Sequence, residues 1–147
     1  MIACGPAQAG GLLRDVDRAL AAQGPGETTL VLAVVRAGEV FGASVGDSAA
    51  WLIEGDGHLD LTHAQARKPL LGSGCAWPVG FGPGPFPLSA RLLLASDGLV
   101  KYASPERLCV TARGIPAGRA AQSLIECVRL PAGHLPDDVS VILCERG

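Results

Sequence analysis

The amino-acid sequence predicts an α+β fold, in which antiparallel β-sheets are accompanied by helices. Two observations carry this prediction. Short apolar runs follow one another across tight, glycine-containing turns, a pattern typical of β-hairpins. Helical segments precede and follow these hairpins as blocks and do not alternate with single strands, as they would in a parallel sheet. Because 48% of the 147 residues are hydrophobic and 18% are charged, we expect one domain with an ample core.

The first half of the chain predicts one helix followed by two hairpins. Residues 12–22 place apolar side chains at helical spacing, and the Gly-Pro-Gly string at 24–26 ends the helix. Apolar runs separated by turn residues then predict four strands, at residues 28–35, 40–45, 49–54 and 58–62.

The second half begins with a segment rich in glycine and proline, at residues 68–87, which predicts a long ordered loop or an edge segment. A buried strand is expected at 90–95, because a run in which five of six residues are apolar leads directly into Ser96 and Asp97. Ser104 and Pro105 are typical of the start of a helix. A further helix at 117–128 and a last strand at 139–144 complete the order of elements.

Composition and charge argue against several classes of protein. The net charge of −2 gives no basic surface for nucleic acid. No run of about 18 apolar residues predicts a membrane span, and the first residues lack the features of a signal peptide, so a cytoplasmic location is expected. The five cysteines are widely spaced without a Cys-x-x-Cys pair, which favours reduced thiols over metal or redox chemistry.

Three aspartates stand where an apolar run meets a short turn: Asp47, Asp97 and Asp137. Carboxylates fixed at strand ends suit hard cations such as Mg²⁺ and Mn²⁺, which prefer oxygen ligands. The alternative is that each aspartate serves ordinary turn chemistry.

Four strings occur in the order of motifs of one enzyme family: Gly-Glu-Thr-Thr at 26–29, Gly-Asp-Ser at 46–48, Ser-Asp-Gly at 96–98 and Asp-Asp-Val-Ser at 137–140. From Gly26 to its last residue, the sequence resembles the metal-dependent protein phosphatases of type 2C. The segment at 67–74 is also similar to a part of short bacterial members.

This resemblance implies a single phosphatase-like domain over residues 1–147, with two antiparallel β-sheets packed as a sandwich and helices outside. It implies that a metal-activated water hydrolyses phosphoserine or phosphothreonine in a phosphoprotein substrate, with Mg²⁺ or Mn²⁺ as cofactor. Asp97 and Asp137 would be metal ligands, Asp138 would stand for a neighbouring polar residue, and Asp47 would contribute to a further, weaker site. No side chain is assigned as a nucleophile.

The sequence departs from the family at its beginning, because it has no Asp-Gly-x-Gly-Gly string, whose aspartate bridges two metals in members of the family. An alignment of Cys4 with that aspartate is possible but is not favoured. We therefore expect a domain that is incomplete at its N-terminus, weak or absent activity, and an open sheet edge that permits self-association. The alternative is a non-catalytic phosphatase-like module that binds phosphoprotein.

A rival hypothesis begins with the Gly-x-Ser-x-Gly string at 42–46. Ser44, Asp97 and His134 follow the chain order of an α/β-hydrolase triad, which would make the chain an esterase. That motif requires a helix directly after the serine, whereas a hairpin pattern follows Ser44. A small residue inside a strand is the favoured interpretation of Ser44.

Overall fold

The structure is a computed structural model that describes residues 5–146, so Cys4 lies outside the described residues. The chain divides into two compact units, one formed by the described part of Met1–Ser48 with Leu61–Phe86 and the other by Ala49–Asp60 with the described part of Pro87–Gly147. The helices are α1 (Pro6–Gln23), α2 (Asp97–Val100), α3 (Pro105–Gly114) and α4 (Ala117–Glu126). The strands are β1 (Leu30–Arg36), β2 (Glu39–Val45), β3 (Ala49–Glu54), β4 (Gly57–Asp60), β5 (Val79–Pro85), β6 (Arg91–Ala95) and β7 (Val141–Glu145).

The first unit contains a three-stranded antiparallel sheet in the order β1-β2-β5. β1 and β2 form a hairpin whose two-residue turn, Ala37 and Gly38, has φ angles of 51° and 81°. Two left-handed residues match the turn geometry that joins twisted strands. Leu13 of α1 packs with Ala43 and Val45 of β2 to form the core of this unit.

The second unit contains a four-stranded antiparallel sheet in the order β4-β3-β6-β7. Its core includes side chains from β3, β6, α2, α3 and α4, among which Leu99, Leu108 and Leu124 are completely buried. The ring of His58 stacks on Trp51 at a centroid distance of 3.9 Å, so this histidine is part of the packing.

The structure confirms the predicted fold class and the antiparallel pairing of the strands expected at 28–35, 40–45, 49–54, 90–95 and 139–144. The helices expected from Ser104 and at 117–128 are also present as α3 and α4, and the Ser104 hydroxyl accepts a hydrogen bond from the Arg107 N–H. Of the described cysteines, Cys109 and Cys127 are buried, and all four are free thiols.

Two helices differ from the sequence prediction, and the structure decides between the two alternatives left open for residues 68–87. α1 begins at Pro6 instead of residue 12, because proline suits the first helical position and the Gln8 side chain accepts a hydrogen bond from the Gly5 N–H. Part of the glycine- and proline-rich segment is the edge strand β5, where Pro83 and Pro85 can be accommodated because an outer strand needs fewer donors. The short helix α2 was not predicted.

Candidate functional site

Asp97 is positioned by a buried strand. Leu92, Leu93 and Ala95 of β6 are buried, and the strand ends one residue before Ser96. Asp97 then forms the first residue of the four-residue helix α2 and is partly exposed. The apolar strand therefore fixes the backbone of Asp97 at a partly exposed position.

Glycine at position 98 allows the segment that carries Asp137 and Asp138 to lie directly against the Asp97 turn. A Cβ atom at Gly98 would stand 2.2 Å from the Asp138 carbonyl oxygen and 3.3 Å from the Asp137 Cβ. Any side chain at residue 98 would force this segment away. The structure thus brings the Asp97 and Asp137 segments together.

The two neighbouring aspartates that shortly precede β7 present carboxylate oxygens to solvent. Asp137 and Asp138 are exposed, and one carboxylate oxygen of Asp137 accepts a hydrogen bond from the Asp138 N–H at 2.9 Å. This local bond fixes the start of the turn and leaves the second Asp137 oxygen, Oδ2, available to a ligand.

Asp47 lies in the other compact unit, in the turn after β2. Gly46 has a φ of 99°, and a Cβ atom there would come within 2.5 Å of Thr29. The Thr29 and Ser48 hydroxyls are hydrogen bonded at 2.7 Å, and Gln65 Nε2 donates to the Ser48 carbonyl at 2.8 Å. The close contact at Gly46 and the hydrogen bonds of Ser48 therefore fix the backbone before and after Asp47.

The residue types at positions 97 and 137 suit a hard divalent cation. Asp97 and Asp137 supply only carboxylate oxygens, and Mg²⁺ is commonly held by one or two carboxylates together with water and substrate phosphate. Within residues 5–146, however, no three His, Cys, Asp or Glu side chains converge as a metal-binding group. A cation held by Asp97 and Asp137 would therefore take its remaining ligands from water and substrate phosphate.

Asp17 is a charged residue whose role the sequence did not reveal. It is only 3% exposed, and its Oδ1 accepts hydrogen bonds from the N–H groups of Gly72 and Gly74 while its Oδ2 accepts one from Ala76. Burial alone would raise the pKa of Asp17, but the N–H groups of Ala76, Gly72 and Gly74 outweigh it and lower the pKa below its usual value. Asp17 thus anchors the loop that follows Leu71.

A signal for Asp17 exists in the sequence. Leu13, Asp17 and Leu20 lie at helical spacing, so the aspartate occupies the core-facing side of the predicted helix. A carboxylate at such a position needs buried hydrogen-bond donors.

The structure contradicts the esterase hypothesis at Ser44. This residue lies inside β2, paired with Val31 on one side and Val79 on the other, and is 1% exposed. A nucleophile elbow requires a sharp turn between a strand and a helix. The Ser44 hydroxyl has no hydrogen-bond partner among the described residues, so neither His134 nor any other described base activates it.

No family model matches the sequence, and no curated protein matches it. Several solved structures do match this chain. The catalytic domain of the serine/threonine protein phosphatase PstP, in complex with two manganese ions, superposes with a TM-score of 0.83 at 22% identity, over 97% of this chain and 72% of that chain. This chain has the fold of bacterial type 2C serine/threonine phosphatases. PstP/Ppp from Mycobacterium tuberculosis gives a TM-score of 0.74 at 21% identity, over 88% of this chain and 67% of that chain.

A third type 2C structure is PppA, described as a key regulatory component of the type VI secretion system in Pseudomonas aeruginosa. It gives a TM-score of 0.72 at 21% identity and covers 95% of this chain and 70% of its own. This chain thus spans about two thirds of the length of the type 2C structures that it matches. In residues 5–146, none of the helices combines the length and apolar character needed to span a bilayer.

Proposed function

We propose that this chain is a metal-dependent serine/threonine protein phosphatase that hydrolyses phosphoserine and phosphothreonine in phosphoprotein substrates. One observation carries the proposal. Asp97 and Asp137, selected from the sequence as metal ligands, lie on segments held in direct contact at Gly98, within a chain of the type 2C fold.

Asp97 and Asp137 are the proposed ligands of a divalent cation, either Mg²⁺ or Mn²⁺, and Asp47 is proposed to contribute to a further, weaker site. When bound, such a cation supplies charge neutralisation at phosphoryl oxygens and acidifies a water molecule. The chain itself contributes two negative charges on rigid backbone, because β6 and the close contact at Gly98 fix the two segments.

Hydrolysis assays test this proposal. Release of phosphate from an aryl phosphate and from a phosphothreonine peptide is measured across a Mn²⁺ titration, for the wild-type chain and for Asp97→Asn. We expect Mn²⁺-dependent release that Asp97→Asn lowers by about 100-fold or more, since about 3 kcal/mol of lost transition-state stabilisation gives that factor. Asp56→Asn is the matched control, because Asp56 is fully exposed and its carboxylate pairs with Arg113.

Two outcomes contradict the proposal: a wild-type chain that releases no phosphate at any Mn²⁺ concentration, and an Asp97→Asn chain as active as wild type. The expected rate is several decades below that of an enzyme with a complete two-metal site, because the 147 residues contain no Asp-Gly-x-Gly-Gly string.

The second candidate function is a non-catalytic module that binds phosphoprotein. It is favoured by the finding that no three potential ligand side chains converge within residues 5–146. Under this alternative, the phosphothreonine peptide binds with measurable affinity, is not hydrolysed at saturating Mn²⁺, and binds Asp97→Asn equally well.

The remaining proposals concern the domain, the cellular location and the self-association of the chain. Residues 1–147 are proposed to belong to one phosphatase-like domain located in the cytoplasm. Self-association through a sheet edge is proposed at β1, the outer strand of its sheet in the described part of the chain, where Leu30 and Val35 are 37% and 45% exposed. No proline or charged residue interrupts the strand between them, and such residues are what usually protect an exposed edge.

A further inference from the structure

Ser96 is the N-cap residue of α2, but its side chain makes no hydrogen bond to that helix. Serine is favoured at N-caps because its hydroxyl usually accepts from an N–H group in the first helical turn. Here the hydroxyl accepts from the Ser140 N–H at 2.9 Å and donates to the Asp138 carbonyl at 3.2 Å. The side chain of Ser96 is therefore directed across to the segment that carries Asp137 and Asp138.

These bonds extend the β6–β7 ladder by one residue. The last paired residues are Ala95 and Val141, and beyond them the Ser96 N–H donates to the Ser140 carbonyl at 3.0 Å. In a regular antiparallel pair, the Ser96 carbonyl would accept the return bond from Ser140. That carbonyl instead accepts from the Leu99 N–H at 3.1 Å, so the Ser96 hydroxyl replaces it as the acceptor for Ser140.

The position of Asp97 depends on this replacement of the Ser96 carbonyl by the Ser96 hydroxyl. Because the hydroxyl completes the ladder, the main chain is free to turn into α2 directly after β6, and Asp97 follows at once. The same oxygen ties down the Asp138 carbonyl, one residue after Asp137. One side chain thus fixes both segments that carry the proposed ligands.

We propose that Ser96 is a positioning residue that holds Asp97 and Asp137 in the arrangement that binds a divalent cation, an inference that rests on the function proposed above. Removing the hydroxyl leaves the Ser140 N–H without its acceptor and loosens the Asp138 carbonyl. Groups that orient metal ligands typically contribute about 10- to 100-fold to metal affinity. We expect a loss in that range for Ser96→Ala.

The test measures Mn²⁺ affinity by electron paramagnetic resonance titration, which does not depend on activity. Ser96→Ala should bind Mn²⁺ at least about 10-fold more weakly than wild type, and Ser96→Thr, which keeps the hydroxyl, should remain within about threefold. Hydrogen exchange at the Ser140 amide should accelerate in Ser96→Ala only. Ser89→Ala is the matched control, because the Ser89 hydroxyl donates to Glu54, just before the opposite end of β6.

The alternative results distinguish a failure of the role of Ser96 from a failure of the proposed function. Wild-type Mn²⁺ affinity in a folded Ser96→Ala chain, or an equal loss in Ser89→Ala, overturns the role of Ser96 and leaves the proposed function intact. A wild-type chain that binds no Mn²⁺ contradicts both. If Ser96→Ala does not fold, Ser96→Cys carries the same comparison, since a thiol is a weak donor and acceptor; wild-type affinity in that chain again overturns the role.

Discussion

Replacing Asp17 should destabilise the fold by removing a buried acceptor of three backbone N–H groups. In Asp17→Ala, the Ala76 N–H is buried without its partner, whereas the N–H groups of Gly72 and Gly74 are closer to solvent and can be hydrated. An unsatisfied buried donor costs about 1–3 kcal/mol, and two partly compensated bonds add about 0.5–1 kcal/mol each. We therefore expect a loss of about 3 kcal/mol in the free energy of unfolding.

Asp17→Asn should cost less, about 2 kcal/mol, because one amide oxygen can still accept from Gly72 and Gly74 while the NH₂ group faces the Ala76 N–H. Urea denaturation followed by circular dichroism measures both variants. In thermal scans, about 3 kcal/mol corresponds to a fall in Tm of about 6–12 °C for a chain of this size.

Asp15→Asn is the matched control on the same helix. Asp15 is paired with Arg18, and both side chains are more than 70% exposed, so the free energy of unfolding should hardly change. If Asp17→Asn were as harmless as Asp15→Asn, the anchoring role of Asp17 would be refuted.

The pH dependence gives an independent check. Because the pKa of Asp17 is lowered in the folded state, its carboxylate stabilises the fold above the usual aspartate pKa of 3.8, and this contribution is lost as the pH falls through the lowered value. The difference in stability between wild type and Asp17→Asn should therefore shrink below about pH 4. Parallel stability curves down to pH 2 would contradict the assigned pKa shift.

Further predictions concern glycines at close contacts. Gly98→Ala should cost about 2 kcal/mol or more in denaturant unfolding, because its Cβ would clash with the Asp138 carbonyl. The control Gly118→Ala should be neutral or stabilising, since nothing lies within 4 Å of a Cβ there; equal behaviour of the two would refute the contact. Gly42→Ala should separate β1 from β2, because its Cβ would meet the Leu32 carbonyl at 1.9 Å, and amide exchange in β1 should accelerate; unchanged exchange would contradict this.

The sequence predicted the hairpins well because their signals are local. Turn residues between apolar runs, such as Ala37 and Gly38, specify a hairpin without reference to the rest of the chain. The edge strand β5 was only one of two alternatives, since proline excludes a central strand but does not reveal whether a partner strand is present. The first turns of α1 were missed because residues 7–11, which are alanine, glycine and one glutamine, give no apolar periodicity.

The candidate site was predictable only in part. The strand-end pattern selected Asp97 and Asp137, and their assignment as ligands stays a prediction. The core-facing position of Asp17 in the predicted helix indicates that its carboxylate needs buried donors, but the partners of Asp17 and of Ser96 could not be predicted, because they lie more than 40 positions away along the chain. Such contacts become visible only when the topology is known.

The central claim, that Asp97 and Asp137 hold one divalent cation, is tested most directly by a double-mutant cycle on Mn²⁺ affinity. Mn²⁺ binding is measured for wild type, Asp97→Asn, Asp137→Asn and the double variant. Ligands of one ion are coupled, so each single variant should bind more weakly and the double variant should lose clearly less than the sum, by about 1 kcal/mol or more. Strictly additive losses, or a single variant with wild-type affinity, would contradict the claim.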